Sequence, residues 1–196
     1  MPEAIIEPDL PIIDPHHHLW DRRPVMHLIP PPVHGFDHIS YRKGHYLLDQ
    51  LLEDTGSGHN IVATVYLECR SMYRAGGPDE MKPVGETEFV NGVAAMAASG
   101  LYGKTLACAG IVSTAELLLG AEVGRVLDAH AAAGGARFKG IRRSTSYDAD
   151  PDVLGPLNRN PAGVLMEPKF REGFAELGKR GLSFDAWMLE PQLPEL

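Results

Sequence analysis

Near the N-terminus of this 196-residue chain stand Asp14, His16, His17 and His18, led in by Ile12 and Ile13 and followed by Leu19 and Trp20. Two β-branched residues running into Asp-x-His-x-His read as a strand, in which residues two apart share a face. Asp14, His16 and His18 then project one way and His17 the other. Two neutral imidazoles side by side at a strand end are half of a site for Zn, Ni, Fe or Cu. His16 and His18 are therefore the candidate metal ligands. Asp14 is placed either to orient them or to satisfy backbone donors at the strand start, and His17 is assigned to packing between strand and helices. A tag remnant would be longer and terminal, with no apolar lead-in.

The elements that must hold these residues alternate short β-branched runs with helical patterns, the signature of βα units around a parallel sheet. Strands are predicted at 12–18, 61–68, 106–112, 138–142 and 182–189. Helices are predicted at 46–53, 86–99, 114–119, 121–133 and 168–180, several closed by glycines. A Pro- and His-rich connection runs from Trp20 to about Lys43; its histidines His27, His34 and His38, with His45 just beyond, are read as solvated. So long a connection in a compact domain is functional or mobile. The count is about five βα units. A closed (β/α)8 barrel needs eight strands and typically about 250 residues, whereas a doubly wound sheet closes its count at five. A doubly wound nucleotide binder would carry a glycine-rich turn after its first strand, and here His17-His18-Leu19-Trp20 occupies that place. The expected fold is the (β/α)8, TIM-barrel type of α/β architecture, incomplete, with residues 1–196 forming the N-terminal portion of a single domain.

Other side chains fall where a barrel mouth would lie. Glu68 ends the second predicted strand and is a candidate catalytic acid or metal-reaching group, or else the partner of a nearby cation. Arg70, Arg142 and Arg143 sit at the ends of strands two and four, where a guanidinium clamps a carboxylate bidentately. Alternation lets only one of Arg142 and Arg143 face inward. Asp185 and Trp187 share a face of the fifth predicted strand, and Trp187 is a candidate stacking surface for substrate. Cys69 and Cys108 fall in predicted buried strands and read as free thiols in a reducing compartment.

Ile13-Asp14-Pro15-His16-His17-His18-Leu19-Trp20-Asp21 resembles the first-strand motif of the amidohydrolase-2 group of metal-dependent hydrolases. Within that group the pattern is similar to the branch of sugar-acid lactonases and 2-pyrone-4,6-dicarboxylate lactonase. The resemblance continues in order through 66–69 with 71–73, 85–90, 109–112, 138–142 and 183–187. It implies a TIM-like barrel with its site at the C-terminal mouth, a divalent ion (zinc first) held in part by His16 and His18, and hydrolysis of an acidic lactone. It favours Arg142 over Arg143 as the inward arginine. In some members of the lactonase branch, cationic side chains polarise the substrate instead of a tightly held metal. The family's later His and final Asp have no matching positions here, so the expected chain is an N-terminal part, either inactive alone or completed by a partner. Zinc-dependent decarboxylases of aromatic acids share the same first-strand pattern and stand as the rival reaction.

Composition narrows the partners. A formal charge of −8, from 18 basic and 26 acidic residues, disfavours a nucleic-acid backbone as ligand. No apolar stretch is long enough to span a bilayer, and the acidic, proline-punctuated N-terminus is unlike a signal peptide. No P-loop or dinucleotide pattern occurs. The expectation is a cytoplasmic protein acting on a small molecule, as a homo-oligomer or with a complementing C-terminal half.

Overall fold

The computed structural model describes residues 4–35, 37–38 and 43–196. The first three residues of the acidic N-terminal segment and part of the Pro- and His-rich connection lie outside the described residues. Among the described residues seven strands appear: β1 (Ile12–His17), β2 (Trp20–Asp21), β3 (His45–Tyr46), β4 (Ile61–Leu67), β5 (Leu106–Ser113), β6 (Phe138–Arg142) and β7 (Ser183–Asp185). The helices are α1 (Leu48–Thr55), α2 (Val84–Ala98), α3 (Val123–Gly134), the single turn α4 (Pro151–Leu154) and α5 (Pro168–Lys179). Strands β1, β4, β5, β6 and β7 form one five-stranded sheet in that order, and every pairing is parallel. The sheet curls into a half-barrel. Neighbours in the sheet are neighbours in the chain, without the order reversal that marks a doubly wound sheet. A two-residue antiparallel ladder joins β2 to β3 and pins the two ends of the long connection together.

Helices cover one face of the sheet. Leu51 of α1 and Val90, Val93, Ala94 and Ala97 of α2 pack with Leu19, Tyr66, Ala107, Cys108 and Ile111. A second cluster joins Val126 and Leu127 of α3 and Phe170 and Leu177 of α5 to Phe138 and Ile141 of β6. The opposite face is thinly filled: a Cβ at Gly110 would lie 3.4 Å from Val65 and 3.7 Å from Lys139, while Ile13 is 59% and Leu106 52% exposed.

Three expectations need correction. The helix expected over 114–119 is instead a 3-10 segment, Leu117–Glu122, broken at Gly120 with φ 63°. The fifth strand is three residues long rather than eight, so Trp187 lies beyond it. Cys69 lies in the turn after β4 rather than in a strand, because the chain turns left-handed at Arg70 (φ 62°) and Met72 (φ 53°). Both cysteines are free thiols.

Candidate active site

The three histidines divide as β-alternation requires. The ladder between β1 and β4 is irregular between Asp14 and His17, yet His16 and His18 still meet, Nε2 to Nε2 at 3.1 Å, with their rings edge to face. His17 turns to the helix-covered side, where its Nε2 lies 2.8 Å from the Thr64 hydroxyl and its ring packs edge-on against Tyr66. Burial depresses His17 to about 4, against an ordinary value of 6.5. Asp14 takes the plainer of its two expected roles: its Oδ1 accepts from the His16 backbone N–H at 3.1 Å.

His18 is set up as a ligand or acceptor. Its Nδ1 lies 2.8 Å from the Leu67 carbonyl, a group that only accepts, so the proton is on Nδ1 and the lone pair on Nε2. Burial lowers its pKa to about 4, which keeps the ring neutral. The His16 Nε2 faces a donor as well, Nη1 of Arg142 at 3.4 Å. The two Nε2 atoms approach to 3.1 Å, a separation closed either by a proton on the His16 Nε2 donated to His18 or by a cation between two lone pairs. Nitrogens at about 2.0–2.1 Å from one zinc ion and this far apart would subtend roughly 100°, near the tetrahedral angle. The pair fits two corners of a metal site. Among the described residues no group of three His, Cys, Asp or Glu completes it.

Arg142 organises the rest. It closes β6, and its Nε donates to Glu68 Oε1 at 3.0 Å while Nη2 donates to the Glu68 carbonyl at 2.6 Å. Its guanidinium carbon lies 5.6 Å from the centroid of the Trp187 ring. Arg142 and Glu68 are each 8% exposed. Burial raises the Glu68 pKa and the adjacent Arg142 partly offsets that rise. Of the two roles foreseen for Glu68, the structure supplies the ion pair.

Beside this pair opens a cavity of about 720 Å³ bordered by Trp187, by the arginines Arg22, Arg70, Arg143 and Arg159 and by the acidic residues Glu68, Asp79, Glu80 and Glu116. Arg143 borders it although alternation seemed to exclude that: β6 ends at Arg142, and past the strand end alternation no longer holds. Its guanidinium is engaged by Glu116 and Asn160. Arg70 is exposed and, among the described residues, makes no hydrogen bond or ion pair. The histidines of the long connection remain apart from this cluster; His27 and His38 are exposed and His34 reaches the Asp152 carbonyl at 3.0 Å.

No model of a known protein family matches the chain. The uncharacterized protein y4mH of Sinorhizobium fredii is 33% identical over 192 residues, covering 95% of this chain and 57% of the relative. The chain thus spans little more than half the length of the curated protein it matches.

One residue that shapes this site carries no chemical signal in the sequence. Glu86 lies in the first turn of α2, is 1% exposed and binds the turn after β4. In sequence it is one more acidic residue at a helix start. Its visible marks are its place in the 85–90 segment of the resemblance and at the buried start of the helix.

Proposed function

We propose that this chain is the His-bearing part of an amidohydrolase-type (β/α)8 barrel that hydrolyses a lactone or related cyclic carbonyl compound carrying acidic groups. The observation that supports this most is the approach of the His16 and His18 Nε2 atoms to 3.1 Å, at the strand ends where the arginines gather. In this reading Arg70, which makes no hydrogen bond or ion pair among the described residues, takes a substrate carboxylate, and Arg143 adds positive potential on the same wall. Arg142 is held by Glu68 and Trp187 beside His16, so its remaining N–H groups meet the carbonyl oxygen as negative charge develops there. Glu68 then acts by fixing Arg142, and Trp187 offers a flat apolar surface to a ring. His16 and His18 would hold a divalent ion, zinc first, as two of its ligands; when bound, such an ion polarises a carbonyl and yields hydroxide near neutral pH. The remaining ligands and the base would come from outside these residues.

A second reading draws on the sheet edges. Among the described residues β1 and β7 each have one unpaired side, and unpaired edges recruit other strands. In that reading the chain is inactive alone and active only when completed by another polypeptide.

The test is a pH-stat assay of acid release from 2-pyrone-4,6-dicarboxylate and aldonolactones, beside carbon dioxide release from aromatic acids. Acid release lost in His16→Ala and His18→Ala supports hydrolysis. Carbon dioxide release without acid release replaces it with decarboxylation, and activity appearing only on adding a complementing half selects the second reading.

A further inference from the structure

Glu86 reaches across from α2 to the turn that leaves β4. Its Oε1 accepts from the Tyr66 hydroxyl at 2.7 Å and from the backbone N–H groups of Cys69 and Ser71, each at 2.9 Å. Between those two amides sits Arg70, left-handed at φ 62°, with Met72 at φ 53° just after. A left-handed backbone is unfavourable for a non-glycine residue and persists only where its surroundings enforce it. Two features enforce it here. One is the Glu86 carboxylate. The other is Gly85: a Cβ there would stand 2.7 Å from both the Arg74 nitrogen and the Met72 carbonyl oxygen, so the helix start lies flush against the turn. The product of this strain is a guanidinium placed on the cavity wall that, among the described residues, makes no hydrogen bond or ion pair, with the Glu68 carboxylate near enough to act on it only through space. Arg143, by contrast, arrives on the same wall already paired with Glu116.

We propose that Glu86 is a positioning residue for anion binding: by clasping the amides of Cys69 and Ser71 it holds the strained turn that aims Arg70 into the mouth. This rests on the reading that the mouth receives an acidic substrate.

The probe is benzene-1,3-dicarboxylate, titrated calorimetrically into wild type, Arg70→Ala, Glu86→Ala, the double variant and Glu86→Gln. Arg70→Ala is expected to weaken binding about tenfold or more, and Glu86→Ala by a comparable factor. The double variant should be no weaker than Arg70→Ala alone, since residues acting through one another are not additive. Glu86→Gln, whose amide oxygen can still accept, should recover affinity to within about threefold. Amide exchange at Cys69 and Ser71 should accelerate at least tenfold in Glu86→Ala while the α3 amides stay unchanged. If Glu86→Ala does not fold, Glu86→Asp, which withdraws the carboxylate by one methylene, takes its place in the same cycle. Losses that multiply in the double variant, or full affinity without Glu86, overturn the positioning role and leave the acidic-substrate reading standing. No binding by wild type overturns that reading and the role built on it.

Discussion

Replacing Arg142 by methionine should make the stability of this protein depend on pH in a defined direction. Methionine replaces the apolar stem of arginine but stops short of the guanidinium, leaving Glu68 with neither its 3.0 Å partner nor a donor for its carbonyl. Both side chains are 8% exposed, and removing one member of a buried pair costs about 3–5 kcal/mol because the other charge stays behind. That cost applies only while Glu68 is ionised. Its folded pKa is already raised by burial, with Arg142 pulling it back, so the variant raises it further. A carboxyl whose folded value exceeds its unfolded value contributes fully below the unfolded value, and that contribution is lost as pH rises through the folded one. Arg142→Met should therefore be destabilised by about 3–5 kcal/mol at pH 8 and by clearly less at pH 5, where the remaining loss is chiefly the orphaned carbonyl, about 1–3 kcal/mol. Urea unfolding at the two pH values, read at constant m, measures both. Adding Glu68→Gln should recover much of the pH 8 loss and little at pH 5. Equal destabilisation at the two pH values, or no recovery, refutes the idea that this pair is held together by charge.

Zinc or cobalt titration should find weak binding that disappears in His16→Ala and His18→Ala and survives in His17→Ala; identical behaviour of all three would remove His16 and His18 as ligands. Gly140→Ala would drive a Cβ into the Ser183 backbone, costing at least the 1–3 kcal/mol of ordinary overpacking and loosening β7, seen as lost amide protection at Phe184. His130 is buried between the Thr87 hydroxyl at 2.8 Å and the Thr114 carbonyl at 3.0 Å, and burial lowers it from 6.5 to about 4. Because its folded value is depressed, the stability it lends is full above 6.5 and falls as pH drops towards 4, by about 3 kcal/mol over the full span. NMR should show a neutral ring at pH 5, and an imidazolium signal there would contradict the assignment.

Much of the scaffold was legible because its signals are periodic and local. The run 138–142 is β6 as written, and Pro168 with the spacing after it marks α5 to within a residue. The division of His16 and His18 from His17 followed from alternation alone and survived an irregular ladder. What escaped was decided by contacts distant in sequence. Trp187 reads as strand, but after Asp185 its carbonyl is taken by the Thr145 amide at 3.0 Å, drawing the segment away from the sheet edge. The β2–β3 pairing joins residues about two dozen positions apart across a connection rich in proline, with no turn motif to announce it. The bond between Glu68 and Arg142 spans 74 positions; composition can offer the charges, but only the curl of the sheet chooses which of them meet.

The order β1-β4-β5-β6-β7 also bears on how the molecule comes into being. Each strand needs only its predecessor as a template, so a nascent chain leaving the ribosome can add one strand and its covering helix at a time. Each pairing joins a strand to the one that precedes it in the sheet, which favours growth by accretion over a search for remote partners. His16 and His18 leave the ribosome well before Arg142, and the cavity wall is completed later still, when Trp187 follows β7.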